Sequence, residues 1–370
     1  MAKLFLHIGD HKTGTSAIQR ALAAGPLQPG WLYPEAGRAN GAGHHNLPWE
    51  IADDGRFRPA KGGWRAVARE VASASPQNVI LSSEGFEFRP AEKVAKRLET
   101  AFDGLFDEVE AVLYLRPHAP RLISSFAERT KRGIGPFDRK SYLDRMLKGR
   151  AAYATRLASW TEVFQKRGWR LTPKIYAPDN LRDGDAVADF AAHVGLRALR
   201  RAEGGPLNSS PSAPALRMIQ IYASAAQREG GPDAARLAAQ TIAPIAMRGF
   251  GASHPRPNWR RTEAERIRDA LRADAMEVDD LLACGHGLVA DFTAALDAAV
   301  SRADDDAQQD LSPETEIAAL TAAEAAAIAA TETGAKPKPE PDATRRDSKR
   351  KSQSGQSAAR TDATSLRPAA

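Results

Sequence analysis

The residues best suited to chemistry lie in Gly9-Asp10-His11-Lys12-Thr13-Gly14-Thr15-Ser16, a stretch with two glycines, one lysine and three hydroxyls. It follows the apolar run Leu4 to Ile8 and precedes Ala17, Ile18, Ala21 and Leu22, which fall at helical spacing. A loop between a buried strand and a helix N-terminus presents unpaired backbone N–H groups at the positive end of the helix dipole, where anions bind. The spacing therefore predicts an anion-binding loop made by His11, Lys12, Thr13, Gly14, Thr15 and Ser16. It is not a Walker A loop, which ends in Gly-Lys-Ser/Thr, because Lys12 comes before Gly14.

A second pair points to the same chemistry. Arg116 stands at the exit of the strand expected over Val109–Leu115, and Ser124 lies about two turns into the helix expected after it. Helical side chains lean toward the N-terminus, so Ser124 can face back toward Arg116. A guanidinium and a hydroxyl together make a phosphate clamp. Glu84, just past the strand Asn78–Ser82, is the best candidate general base, with His44 and His45 as second candidates. A positioned base contributes about 10²–10⁴-fold. His7, inside a strand, reads as a packed core histidine. The adjacent histidines lack any further ligand pattern, so no metal site is expected.

These residues need a frame that brings strand ends together. Strands are expected at Leu4–Ile8, Trp31–Pro34, Asn78–Ser82, Val109–Leu115 and Trp169–Tyr176, alternating with helices. That alternation implies βαβ units and a parallel sheet. Open parallel sheets bind ligands at the carboxyl ends of their strands, where Lys12, Glu84 and Arg116 all fall. Residues 35–62 read as a long Gly/Asn/His-rich connection, either a binding loop or disordered. From Pro211 to Val300 the patterns are helical only, at about 214–229, 232–247, 261–282 and 288–300.

The order Lys12-Thr13-Gly14-Thr15-Ser16 after a strand, together with Arg116-Pro117 and a serine eight residues beyond the arginine, resembles the PAPS-dependent sulfotransferases. The resemblance covers roughly residues 3–200 and implies a P-loop-type, doubly wound α/β fold. It implies that the loop cradles the 5′-phosphosulfate of 3′-phosphoadenosine-5′-phosphosulfate (PAPS), with Lys12 stabilising charge on the leaving oxygen. By the same likeness Arg116 and Ser124 hold the 3′-phosphate, and no metal is required. Some glycan sulfotransferases use a Glu near the position of Glu84. Cytosolic small-molecule members use a His in a Lys-x-His motif, which is absent here. The likeness is thus closer to bacterial and carbohydrate sulfotransferases, with a hydroxyl (or amine) of a glycan or glycolipid as the expected acceptor. The family's late Arg-Lys-Gly contact to the 3′-phosphate has no evident counterpart.

Composition bounds the rest. The chain has 370 residues, and all 24 aromatic residues lie at or before Phe292. Residues 303–334 carry eight acids and no Lys or Arg, and residues 335–370 nine bases against four acids. Such a segment cannot offset its ordering entropy by apolar burial. One α/β domain over 1–302, all-helical over 210–302, with a mostly disordered tail over 303–370, is expected. The net charge of +6 suits an anionic partner. The single cysteine, Cys284, and the lack of a membrane-spanning run fit a cytoplasmic protein. Two other functions compete. A P-loop nucleotide kinase would use the same loop, but the strand 78–82 ends in two serines rather than a magnesium-binding acid. A non-catalytic protein could bind an anionic partner through the basic tail. That tail lacks the aromatics for base stacking, so nucleic acid is not expected.

Overall fold

The computed structural model describes residues 2–39, 41–197, 199–201, 210–251, 254–303 and 321. Nearly all of the tail expected over 303–370 lies outside them. Five strands, β1 (Lys3–Gly9), β2 (Trp31–Leu32), β3 (Asn78–Ser82), β4 (Glu108–Leu115) and β5 (Arg170–Ile175), form one sheet in the order β2-β3-β1-β4-β5. Every pairing is parallel, with Leu6 opposite Leu81 on one side and opposite Ala111 on the other. The near-continuous apolar runs of β1, β3 and β4 are what a sheet covered on both faces requires.

Side-chain alternation sorts the strands into two cores. Phe5, Ile80, Val112 and Tyr114 face α1 (Thr15–Ala23) and α8 (Ala186–Val194). Leu4, Leu6, Ile8, Val79, Leu81, Ala111 and Leu113 face the opposite layer. That layer holds α3 (Trp64–Ala74), α4 (Ala91–Ala101), α5 (His118–Lys131) and α7 (Ala154–Gln165). Each fully buried Leu or Ile contributes about 2 kcal/mol of transfer free energy. Helices α1 and α5, which follow the adjacent strands β1 and β4, therefore lie on opposite faces. The chain reverses its winding there and opens a crevice at the carboxyl ends of those strands.

The expected helices are present, with α6 (Arg139–Met146) between α5 and α7. In the 35–62 connection the chain adds a short helix, α2 (Asn46–Ile51), anchored by the buried Leu47 and Trp49. Asp185 caps α8 by accepting the Val187 and Ala188 N–H groups, and Gly195 ends it at φ 87. In the C-terminal part, α9 (Ala213–Gly249) breaks at Gly231 (φ 74), between the two segments expected from sequence. Its halves fold back on each other, so that Ser212 Oγ donates to the Phe250 carbonyl at 2.6 Å. Helices α10 (Arg261–His286) and α11 (Phe292–Ser301) join the core of α5 and α7. Trp259, fully buried, donates its indole N–H to the Ala119 carbonyl at 2.9 Å. Among the described residues no helix is long and apolar enough to cross a membrane.

Candidate functional site

The 9–16 loop leaves the central strand and turns at once into α1. Gly9 is required by close approach, since a Cβ there would lie 1.8 Å from Thr15 Oγ1. Lys12 and Gly14 adopt left-handed backbone, φ 72 and 77, and Gly14 is the N-cap of α1. For a lysine that conformation costs on the order of 1 kcal/mol, so its surroundings must hold it. The N–H groups of residues 12–16 find no acceptor among the described residues. Thr13 turns its hydroxyl inward onto the Asp10 carbonyl at 2.6 Å, leaving its backbone rather than its side chain to a ligand.

Behind the loop lies an ion network that sequence reasoning missed. Asp10 is fully buried and accepts the His11 N–H at 2.7 Å and Arg121 Nε at 2.7 Å. Tyr153 donates its hydroxyl to Asp10 and lies 2.9 Å from the Arg116 carbonyl. Glu87, also buried, meets Arg156 at 2.5 Å and Arg121 at 3.3 Å. Burial alone would raise the Asp10 pKa, but the Arg121 guanidinium and its hydrogen bonds outweigh this and hold it at about 2. Burial and the Asp10 charge push Glu87 the other way, well above the usual range. The network ties the ends of β1 and β4 to the short helical turn that begins at Glu84. A charged residue directly after a buried strand was the available signal; its partner stands 111 positions away.

Arg116, half-buried, donates to the Lys12 carbonyl at 3.0 Å, and its guanidinium lies 5.6 Å from the Tyr176 ring centre. It pairs with no carboxylate among the described residues, and burial pulls its pKa below the usual guanidinium value. A desolvated cation of this kind favours an anionic ligand. Ser124 lines the same cleft from α5, as the lean of helical side chains predicts. Lys12 Nζ contacts Glu128 at 3.1 Å, and Lys131 and Arg132 contact the same carboxylate at 2.9 and 2.8 Å. Burial opposes ionisation of Glu128, but Lys12, Lys131 and Arg132 hold its pKa at about 2. Glu128 was not singled out from sequence.

Glu84 opens the turn after β3 and faces the cleft. Gln19 donates to its Oε2 at 3.2 Å, and His45 Nδ1 lies 3.7 Å away. Burial raises its pKa, yet His45, His11 and the Gln19 bond win and hold it below the ordinary carboxylate range. His45 Nδ1 bonds Ser83 Oγ at 2.9 Å. His44 is placed differently from its neighbour. It is fully buried, and Nδ1 accepts the Ser82 N–H at 3.1 Å while Nε2 donates to the Pro34 carbonyl at 2.9 Å. Both ring nitrogens are committed to backbone, so His44 braces the 34–44 loop against β3 and offers no lone pair to an acceptor. Burial brings its pKa down to about 3. His7 is a core histidine as expected, bonded to Ser82 Oγ at 2.8 Å. His11 lies exposed at the cleft mouth against Phe88, with ring centres 5.1 Å apart.

The structure thus gathers His11, Lys12, Gly14, Thr15, Ser16, Glu84, Arg116 and Ser124 around one cleft of about 460 Å³, within the size range of small-molecule sites. Arg20, Arg129 and Arg132 add charge to its walls. His45 stands behind Glu84 and His44 stands outside. Among the described residues no three His, Cys, Asp or Glu side chains are grouped as a metal site would group them. No protein-family model matches the chain, and no curated protein matches it in sequence.

Proposed function

We propose that the cleft binds a 3′-phosphoadenosine-5′-phosphosulfate donor in a P-loop-type site and transfers its sulfuryl group to a hydroxyl (or amine) of a glycan or glycolipid. One observation carries this: two independent anion-seeking groups converge on the cleft. One is the set of N–H groups of residues 12–16, unpaired among the described residues, with Lys12, and the other is Arg116, a half-buried cation with no carboxylate partner among those residues, beside Ser124. A ligand with anionic groups at two separated points satisfies both, and a 3′,5′-bisphosphorylated nucleoside is such a ligand.

The donor supplies an activated sulfuryl group whose departure leaves a nucleotide phosphate. The chain's own residues hold and discharge the acceptor. Glu84, ionised at neutral pH, accepts the proton of the acceptor hydroxyl as its oxygen bonds to sulfur. Lys12, released from Glu128, neutralises the negative charge that develops on the phosphate side. The loop N–H groups orient the reacting group, and Arg116 with Ser124 fixes the far end of the nucleotide. His45 and Gln19 position the Glu84 carboxylate.

The test is transfer of ³⁵S from labelled PAPS to a panel of polysaccharides and glycolipids. Labelled product with wild-type protein, and loss of at least a hundredfold in Glu84→Gln, supports the proposal. No transfer to any acceptor, combined with magnesium-dependent ATP binding, favours a nucleotide kinase instead.

A further inference from the structure

A second concave site lies outside the cleft. The turn before α6 and the first half of α9 enclose a groove of about 450 Å³ lined by five cationic side chains and two carboxylates. Both carboxylates are occupied. Asp138 caps α6 by accepting the Ser141 N–H at 2.7 Å, and Glu263 accepts Arg139 at 3.1 Å and the Arg260 N–H at 3.0 Å. Along α9, Arg217, Ser224 and Arg228 fall at helical spacing on the groove side. Arg217 has no acceptor among the described residues, and Arg228 meets only the neutral Ser224 hydroxyl at 3.1 Å. Lys140, 84% exposed and in a loose pair with Asp144 at 3.7 Å, lines the groove from α6.

The spacing specifies the shape of the ligand. Eleven residues separate Arg217 from Arg228, about 16 Å along a helix axis. The cationic stripe is therefore elongated and suits an extended polyanion better than one compact anion. Gln220 and Ser224 stand between the charges at neutral positions; the Gln220 amide donates to the Phe137 carbonyl at 2.6 Å, which ties α9 to the turn before α6. Among the described residues Phe137 is the one aromatic that lines the groove; it is 6% exposed and turns into the α9 core, so these residues offer no platform for stacking bases. Position completes the case. Ile134 lines the cleft and Phe137 lines the groove, so the two sites are at most about 11 Å apart along the chain.

We infer that this groove is a binding site for a linear anionic glycan, one bearing uronic carboxylates or sulfate esters, that presents a hydroxyl to the cleft. The anionic class follows from the groove's own residues; its role as acceptor rests on the cleft being a sulfuryl-transfer site. Charge contacts of this kind are screened by salt, so binding weakens as ionic strength rises.

The experiment is calorimetric titration of the full chain with a heparin hexasaccharide and, separately, with 3′-phosphoadenosine-5′-phosphate. It is repeated on the triple variant Lys140→Ala/Arg217→Ala/Arg228→Ala and with a single-stranded oligonucleotide of equal charge. All three substitutions are on the surface, and thermal melting checks that the variant folds. The expected result is a tenfold or greater loss of hexasaccharide affinity in the variant, with nucleotide affinity within twofold of wild type. Equal hexasaccharide affinity in variant and wild type overturns the inference, as does tighter binding of the oligonucleotide to the wild-type groove. Groove-dependent hexasaccharide binding without any nucleotide binding leaves the groove standing and removes the sulfuryl-transfer reading of the cleft.

Discussion

The two ends of the sheet handle charge in opposite ways. At the amino end, Glu110 of β4 is buried and fully occupied: Lys3 at 2.9 Å, Thr172 at 2.7 Å, His193 at 2.8 Å and Arg170 at 2.5 Å all meet its carboxylate. Burial opposes its ionisation, but the His193, Thr172, Lys3 and Arg170 bonds prevail and hold its pKa below the usual range. At the carboxyl end, Arg116 and the N–H groups of residues 12–16 have no anionic partner within the described chain. A sheet needs no open charge to be stable, and a half-desolvated cation with no carboxylate partner among the described residues is suited to an anionic ligand. The closed end supports the fold and the open end is available for binding.

The sharpest way to separate the two ends is by mutation. Glu84→Gln keeps shape and hydrogen bonding and removes basicity. It should lower kcat by about two to four orders of magnitude with nucleotide affinity almost unchanged, measured by ³⁵S transfer and by calorimetry. Loss of binding instead would make Glu84 part of the donor site. Glu110→Gln should do the reverse, costing about 1–3 kcal/mol of unfolding free energy in a denaturant titration while nucleotide binding stays intact. The stability that Glu110 supplies is present above the ordinary carboxylate pKa of about 4.3 and disappears as pH falls through its lower folded value. The variant should therefore lose less stability than wild type on acidification.

Tyr153→Phe removes the hydroxyl that lies between Asp10 and the Arg116 carbonyl. It should cost about 1 kcal/mol and loosen the loop, seen as a fall in kcat larger than any change in KM. His44→Asn acts by the same logic on the 34–44 loop, lowering thermal stability rather than abolishing turnover. The smallest effect concerns pH. With Glu84 as base, the acid limb of the kcat profile lies below the ordinary carboxylate range, because His45 and His11 depress its pKa. A limb near the ordinary imidazole value of about 6.5 would transfer the role to a histidine.

What sequence could show here follows from the range of the interactions. Strands β1, β3 and β4 were legible because their apolar runs are local, and Lys12, Glu84 and Arg116 because each stands within three residues of the end of such a strand. The break in α9 was legible from Gly230, Gly231 and Pro232. Helix α2 was not, since six residues with Pro48 inside show no periodicity and the helix persists only because Leu47 and Trp49 are buried. The contrast between His44 and His45 was illegible for a related reason. One residue's shift along the chain sends one ring into backbone contacts and the other toward Glu84. The Asp10–Arg121–Glu87 network joins positions far apart in sequence, and no spacing announces it.

Arg116 is the residue assigned to the 3′-phosphate. Titration of wild type and Arg116→Ala with 3′-phosphoadenosine-5′-phosphate, and with the analogue lacking the 3′-phosphate, measures its role directly. A charge-assisted contact to phosphate of about 2–3 kcal/mol predicts that wild type prefers the 3′-phosphorylated nucleotide by about a hundredfold and that Arg116→Ala erases the preference. Equal binding of both nucleotides by wild type, or undiminished discrimination in the variant, would contradict a 3′-phosphonucleotide site at the open end of the sheet.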